Sequence, residues 1–431
     1  MFCRILFITI LSILPASALL AQDLALIEDL FRDEVDLTST GQSFGWAVEI
    51  DGDWAAVSAP FVNSQDGEVY LFRFSQSPAP QWQFVKQLER PPESARRFGL
   101  SVTIEGDLMV VGANFIGAHV YQRDTGGLDN WGFVESLAVD DTATRRDQDT
   151  DLAVALSGDT LVVGAPNTDY IPLGGSEGNQ VGSVFIYQRQ GNSFNLEQTL
   201  EAPLADQIAL ARFGQRVDID GDTLAIGSSA FNVQEFTSAG RAWVYRNVAG
   251  NWTLQQTLNT SSPGNNTAFG EDVAVSGDRV AVGATGGAGD LTPGVSNDGS
   301  VYVFRRDIGG ADQWGLELEL VPSQPQFIND FGRSVSLADD LLWAGADDAA
   351  YLFRDNGGLW PEVDRNPAPV YMGDANVREF GFSAALGVRN GGTQVLGLIG
   401  DQTAENFSNT RVGAAFFYFY DDGIFADSFE D

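Results

Sequence analysis

One phrase returns along the chain about seven times: Phe-Gly, an alternating run, a turn on Gly-Asp, Val-Gly-Ala, then Gly-x-Val-Tyr-Val-Phe. Its clearest copy runs from Phe269 to Phe304. There Val273, Val275, Val280 and Val282 alternate with polar or small residues. That is the period of a half-buried strand. Ser276-Gly277-Asp278 separates the two alternating runs, and Asp51-Gly52-Asp53, Ser157-Gly158-Asp159 and Asp220-Gly221-Asp222 hold the same place elsewhere. Such triplets supply the positive φ that a two-residue hairpin turn needs. Beyond residues 1–21 no stretch carries a convincing helical stripe, so the chain is expected to be all-β.

Copies begin at Phe44-Gly45, Phe98-Gly99, Phe213-Gly214, Phe269-Gly270, Phe331-Gly332 and Phe380-Gly381, while Thr150-Asp151 stands where the third would start. These starts are 49 to 63 residues apart, the spacing of propeller blades. A four-stranded blade has two apolar faces and cannot bury both alone, whereas radial stacking buries each against a neighbour. The Gly and Ala of Val-Gly-Ala suit strands that converge near an axis. The Phe of each Phe-Gly is expected to wedge between blades. The seventh copy yields only three strands and ends near Tyr420, while Leu24 to Phe31 precedes the first Phe-Gly as other fourth strands precede theirs. The expected architecture is a seven-bladed β-propeller of four-stranded antiparallel blades, residues 22–420, closed by the N-terminal strand. An acidic-aromatic tail, residues 421–431, follows it.

Residues Met1 to Ala21 carry Arg4, an apolar run and Ala16-Ser17-Ala18, the signature of a secretory signal peptide. The chain is therefore expected to be secreted, periplasmic or at the cell surface, with no stable membrane insertion once the signal is removed. Cys3, the single cysteine, would leave with it, so neither a disulfide nor a thiol nucleophile is expected. A formal charge of −35 repels phosphate backbones, and no nucleic-acid partner is expected. The only lysine, Lys86, is outside any GxxxxGK loop, which excludes a P-loop.

The phrase Phe-Gly…Val-Gly-Ala-Pro…Gly-x-Val-Tyr-Val-Phe resembles the FG-GAP repeat of integrin α-subunit propellers and of secreted bacterial integrin-like proteins. The resemblance covers about residues 24 to 420. It implies a seven-bladed propeller that meets ligands on the face built by the loops between strands 2 and 3 and between blades. Relatives often carry a DxDxDGxxD calcium loop between the first two strands. Here that place holds only hairpin-length turns, too short to wrap a calcium ion, so calcium dependence is not carried over and no cofactor is expected.

Arginines stand just before several blade starts: Arg96 and Arg97, Arg145 and Arg146, Arg212, and Arg378. On one rim of a ring, Arg97, Arg146, Arg212 and Arg378 would form a ligand-binding set for carboxylates. The plainer alternative is pairing with nearby Glu93, Asp147, Asp149 and Glu379. Asp147, Asp149 and Asp151 share one face of an extended strand and are the candidate cation ligands, though the glycine and closing Glu of a calcium loop are missing. Asp218, Asp220 and Asp222 make a similar run across a hairpin. Two GxSxG stretches, at Ser43 and Ser176, lack the strand–turn–helix setting of a nucleophile elbow. The single histidine, His119, reads as a packed residue of a third strand. Loops 167–181 and 285–298 are long for hairpin connections and are places for recognition.

These features favour an exported, non-catalytic binding or adhesion module whose partner is a protein or carbohydrate at the cell surface. A hydrolase or lyase with a carboxylate pair at the central opening is the alternative from another class. A structural surface component is the third.

Overall fold

A computed structural model describes residues 25–31, 43–91, 96–114, 117–139, 152–168, 180–208, 210–260, 262–286, 298–324, 330–368, 379–389, 394–403 and 413–421. Residues 1–24 and 422–431, and with them the expected signal peptide and nearly all of the acidic tail, lie outside these residues, as do most of both long loops. Seven antiparallel sheets of four strands each make up the chain. In blades 1 to 6 the strands are sequential, as in Val48–Asp51, Trp54–Ala59, Glu68–Ser75 and Gln81–Gln87 of blade 1. Blade 7 contains Ser383–Arg389, Gln394–Asp401 and Ala414–Asp421, and its outermost strand is Ala25–Phe31. That N-terminal strand pairs antiparallel with Ala414–Asp421, from Ala25 opposite Phe419 to Phe31 opposite Ala414. The ring is thus closed by strands from opposite ends of the chain. Among the described residues, no helix is long and apolar enough to cross a membrane.

The core is divided into seven apolar clusters, each assembled from two neighbouring blades. The Phe of every Phe-Gly is fully buried in one of them: Phe44, Phe98, Phe213, Phe269, Phe331 and Phe380. Burying such a ring is worth about 2–3 kcal/mol. Each meets an aromatic from the third strand of its own blade, as Phe269 does Tyr302 with ring centroids 5.4 Å apart.

The backbone beside the wedge is what demands glycine. Phe269 donates its N–H to the Ala239 carbonyl of the preceding blade at 3.0 Å, and Gly240 next to it holds φ +82°. A methyl on Gly240 would overlap the Phe269 backbone. The same clamp joins Phe98 to Asp66-Gly67, Phe213 to Val181-Gly182 and Phe331 to Asp298-Gly299. Phe44 bridges Gly413 in the same way, so the ring closes with the joint used elsewhere. The Phe-Gly of one copy and the Gly-x-Val of the previous one are two halves of a single lock.

Side chains two, four and six positions after the Phe-Gly glycine turn toward the next blade. At the sixth position Asp51, Glu105, Ser157, Asp220 and Ser276 each accept a backbone N–H from the next blade's turn. The donors are Gly106, Gly158, Gly221, Gly277 and Asp339, at 2.7 to 3.1 Å. The first residue of the turn triplets therefore staples blades together as well as starting a turn. Lys86 has a comparable task on the outer strands: its ammonium donates to Asn130 Oδ1 at 2.8 Å, from blade 1 to blade 2. Gln198 brackets Trp252, and Gln256 brackets Trp314, in the same way.

Candidate functional site

The innermost strands surround an axial tunnel of about 510 Å³ that all seven blades line. Its mouth on the Phe-Gly face is set by the residue after each glycine or its equivalent. Around the ring these are Trp46, Leu100, Leu152, Gln215, Glu271, Arg333 and Phe382, all in the tunnel wall. Blades 7, 1, 2 and 3 thus contribute an apolar arc, and blades 4, 5 and 6 a polar and charged one. The repeat dictates where these side chains point and leaves their identity free.

The apolar arc is rigid. Trp46 packs edge-on against Phe61 with centroids 4.7 Å apart, lies 4.8 Å from Phe382, and donates its indole N–H to the Leu100 carbonyl at 3.1 Å. Arg333 rests over Phe382 and pairs with Asp347 at 2.9 Å. Burial pushes the Asp347 carboxyl up to about 7, with Asp330 adding to the rise and Arg333 opposing it.

Of the four arginines expected to make a binding set, the structure describes two. Arg97 has φ +52° and lays its guanidinium over Phe61 at 5.1 Å, behind the Trp46 arc. Arg212 has φ +49° and lines the tunnel mouth; among the described residues its guanidinium has no ion-pair partner. Arg146 and Arg378 lie outside the described residues, as do Asp147, Asp149 and Asp151. The position before Phe is left-handed at Ser43, Arg97, Arg212, Ala268 and Asp330 alike, so it answers to the clamp's geometry rather than to arginine.

Deeper in the tunnel three carboxylates face one another from blades 1, 4 and 5. Burial pushes Glu49 up to about 8, against a hydrogen bond from the Ile50 N–H and with Asp218, Asp51 and Asp272 adding to the rise. Burial likewise raises Asp218 to about 7 and Asp272 to about 6. Asp218 accepts the Ile219 N–H at 2.9 Å through Oδ1 and the Val275 N–H of the next blade at 2.6 Å through Oδ2. Asp272 accepts the Val335 N–H of blade 6 at 2.9 Å, while Arg216 lies 3.8 Å from its other oxygen. Asp218 and Asp272 are thus occupied as inter-blade acceptors. Glu49 Oε1 takes the Ile50 N–H alone.

The run Asp218, Asp220, Asp222 does not converge. Asp218 is in the tunnel, Asp220 staples Gly277, and Asp222 pairs with Arg246 at 3.1 Å on the rim. Among the described residues no group of three or more acids, histidines or cysteines is arranged to hold a metal ion. His119 is fully buried, with Nδ1 2.9 Å from Ser136 Oγ, away from the tunnel. Ser43 is buried and its Oγ accepts the Phe61 N–H, which takes it out of consideration as a nucleophile. The sequence reading passed over Trp46, Glu271 and Glu49. A comparison of the repeats by column, at the residues one and four places after the glycine, would have found all three.

The fold is that of a seven-bladed β-propeller with a lined axial tunnel. The FG-GAP repeat family matches residues 38–72 and 252–304. Those matches and the seven-bladed ring fit an integrin-like FG-GAP propeller. No curated protein matches the chain. Among solved structures, a chain from an S. cerevisiae complex described as Dbp5 bound to Nup159, Gle1, IP6 and ADP is similar, with 10% identity and a TM-score of 0.50. The match covers 93% of this chain and 96% of that one, and the likeness is one of fold alone.

Proposed function

We propose that this propeller is an exported binding module that engages its ligand on the Phe-Gly face, at the tunnel mouth and the loops around it. One observation carries the reading: the residues after the repeated glycines form an apolar arc anchored by Trp46 and Phe382 opposite a polar and charged arc, over a cavity of about 510 Å³. Concave sites of this size that set placed polar groups beside apolar surface are how rigid scaffolds recognise ligands. The signal-like segment 1–21 supports export.

The test is a panel of immobilised glycans and surface proteins probed with wild type, Trp46→Ala/Arg212→Gln and Leu128→Ser. Leu128 is 89% exposed in a hairpin on the opposite face. Binding lost only in the first variant supports the reading. A bound partner indifferent to that variant, or no partner at all, refutes it.

The raised tunnel carboxylates favour a second reading, a hydrolase or lyase in which Glu49 stays protonated near neutral pH and acts as general acid. Turnover of chromogenic glycosides that disappears in Glu49→Gln would support it. Turnover surviving that change would exclude Glu49 from the role.

A further inference from the structure

The two arcs of the mouth define more than a binding surface. On the apolar side, Trp46 is half-buried, lines the mouth, packs against Phe61 and Phe382 and is tethered through its indole N–H. It is a fixed platform, ordered before any ligand arrives. On the polar side, three of the groups are already engaged. The Gln215 amide exchanges hydrogen bonds with Ser229, Arg333 is paired with Asp347, and Arg216 lies beside Asp272. The side chains of Arg212 and Glu271 line the mouth with no partner among the described residues. They offer one guanidinium fork and one carboxylate.

From this geometry we infer that the mouth binds a neutral saccharide residue, with its C–H face on the Trp46 platform and vicinal hydroxyls shared between Arg212 and Glu271. The inference rests on the binding-module reading above. A pyranose is amphipathic in the required sense, with an apolar face of axial hydrogens and a rim of hydroxyls that both donate and accept. Arg212 supplies only donors and Glu271 only acceptors, so a diol, which can serve each, matches the pair where a simple anion or cation meets one friend and one opponent. The remaining charge argues the same way. A chain carrying −35 repels polyanions over its whole surface, and Asp272 and Asp218 stand below the mouth. A uronate would enter against that field. A neutral sugar is indifferent to it. The cavity's 510 Å³ leaves room for one sugar residue and its hydration or for a short oligosaccharide end.

Isothermal titration of the full mature chain with galactose, glucose, mannose and their disaccharides, with galacturonate as the acidic counterpart, tests this. The expected result is millimolar or tighter binding of at least one neutral sugar, with galacturonate weaker than its neutral parent. Arg212→Gln removes no intramolecular pair among the described residues, so its folding is not in question. It should weaken the neutral sugar by about tenfold, the usual scale of a charge-assisted hydrogen bond. Glu271→Gln should weaken it by a similar factor, and Trp46→Leu, which keeps an apolar side chain there but loses the platform, by more. Melting curves identify any variant that fails to fold. Galacturonate preferred over galactose, or sugar binding unchanged in Arg212→Gln, overturns the inference. So does silence toward every sugar from a chain that binds a protein through the same mouth, and that outcome leaves the binding-module reading standing.

Discussion

Replacing Glu49 with glutamine isolates what the tunnel does to a carboxyl group. Glu49 Oε1 accepts one backbone N–H, from Ile50 at 3.1 Å. A glutamine carbonyl oxygen can take the same bond, so Glu49→Gln removes the titration while keeping the contact. The carboxyl is held at about 8 against 4.5 in the unfolded chain. Its folded pKa is the higher one, so the native state binds a proton that the unfolded state has released. The group costs nothing below about pH 4.5, and stability falls as pH rises from there through about 8. The full displacement corresponds to roughly 5 kcal/mol above that range. The tunnel is open to solvent, which screens part of it, so about 1–3 kcal/mol is the working figure. Calorimetric melts at pH 5, 7 and 9 read the effect. Glu49→Gln should match the wild type at pH 5 and exceed it by a few degrees at pH 9, a chain of this length moving by a small number of degrees per kcal/mol. Parallel curves for the two proteins at all three pH values would refute the reasoning.

Other consequences are equally open to measurement. Gly67→Ala places a methyl on the Phe98 carbonyl at φ +82° and should cost about 2–4 kcal/mol in urea titration. Gly52→Ala, at φ +55° with open space around it, should cost no more than about 1 kcal/mol. Comparable losses in the two would dismiss the clamp. Deleting residues 25–31 strips blade 7 of its outer strand and should lower the melting temperature by many degrees; a truncated chain that melts like the parent would contradict ring closure by that strand. Excess EDTA should leave the melting temperature unchanged, because the turns at Gly52, Gly158, Gly221 and Gly277 are two-residue hairpins; a clear drop would reveal a cation held elsewhere.

The architecture was legible because it is written in residues that backbone geometry requires. Gly240 and Gly270 hold φ values of +82° and +87° against a neighbouring blade, and no other residue takes their place cheaply. The fourth strand of blade 7 was readable for a different reason: the last copy lacked one, and the segment before Phe44 had no other use. The mouth resisted reading because it inverts that logic. Trp46, Glu271 and Phe382 occupy a single structural position, and a repeat is recognised by what stays the same there. Glu49 was missed because an acid two residues before a turn triplet looks like an ordinary solvated charge. Only the converging blades turn it into a half-buried group on a tunnel wall. For the arginines, the sequence reported regular spacing correctly, and the structure assigns that spacing to a left-handed backbone position that Ser43, Ala268 and Asp330 also fill.

The lock between Phe-Gly and the preceding Gly-x-Val joins blades 7 to 1, 1 to 2, 3 to 4, 4 to 5 and 5 to 6. Between blades 2 and 3 the sequence offers Thr150-Asp151 instead, and blade 6 has Asp348 where the clamping glycine would be; Ser101 Oγ donates to the Leu152 carbonyl across the first of these seams and Ser334 Oγ to the Gly381 carbonyl across the second. Mechanically, then, the disc is not uniform. The joint between the two chain ends, where a broken ring would be expected to gape, has the full lock and a strand pairing besides. The ends of the chain are therefore no weaker a place than the seams inside it, and a pull on the molecule has no reason to open the ring there first.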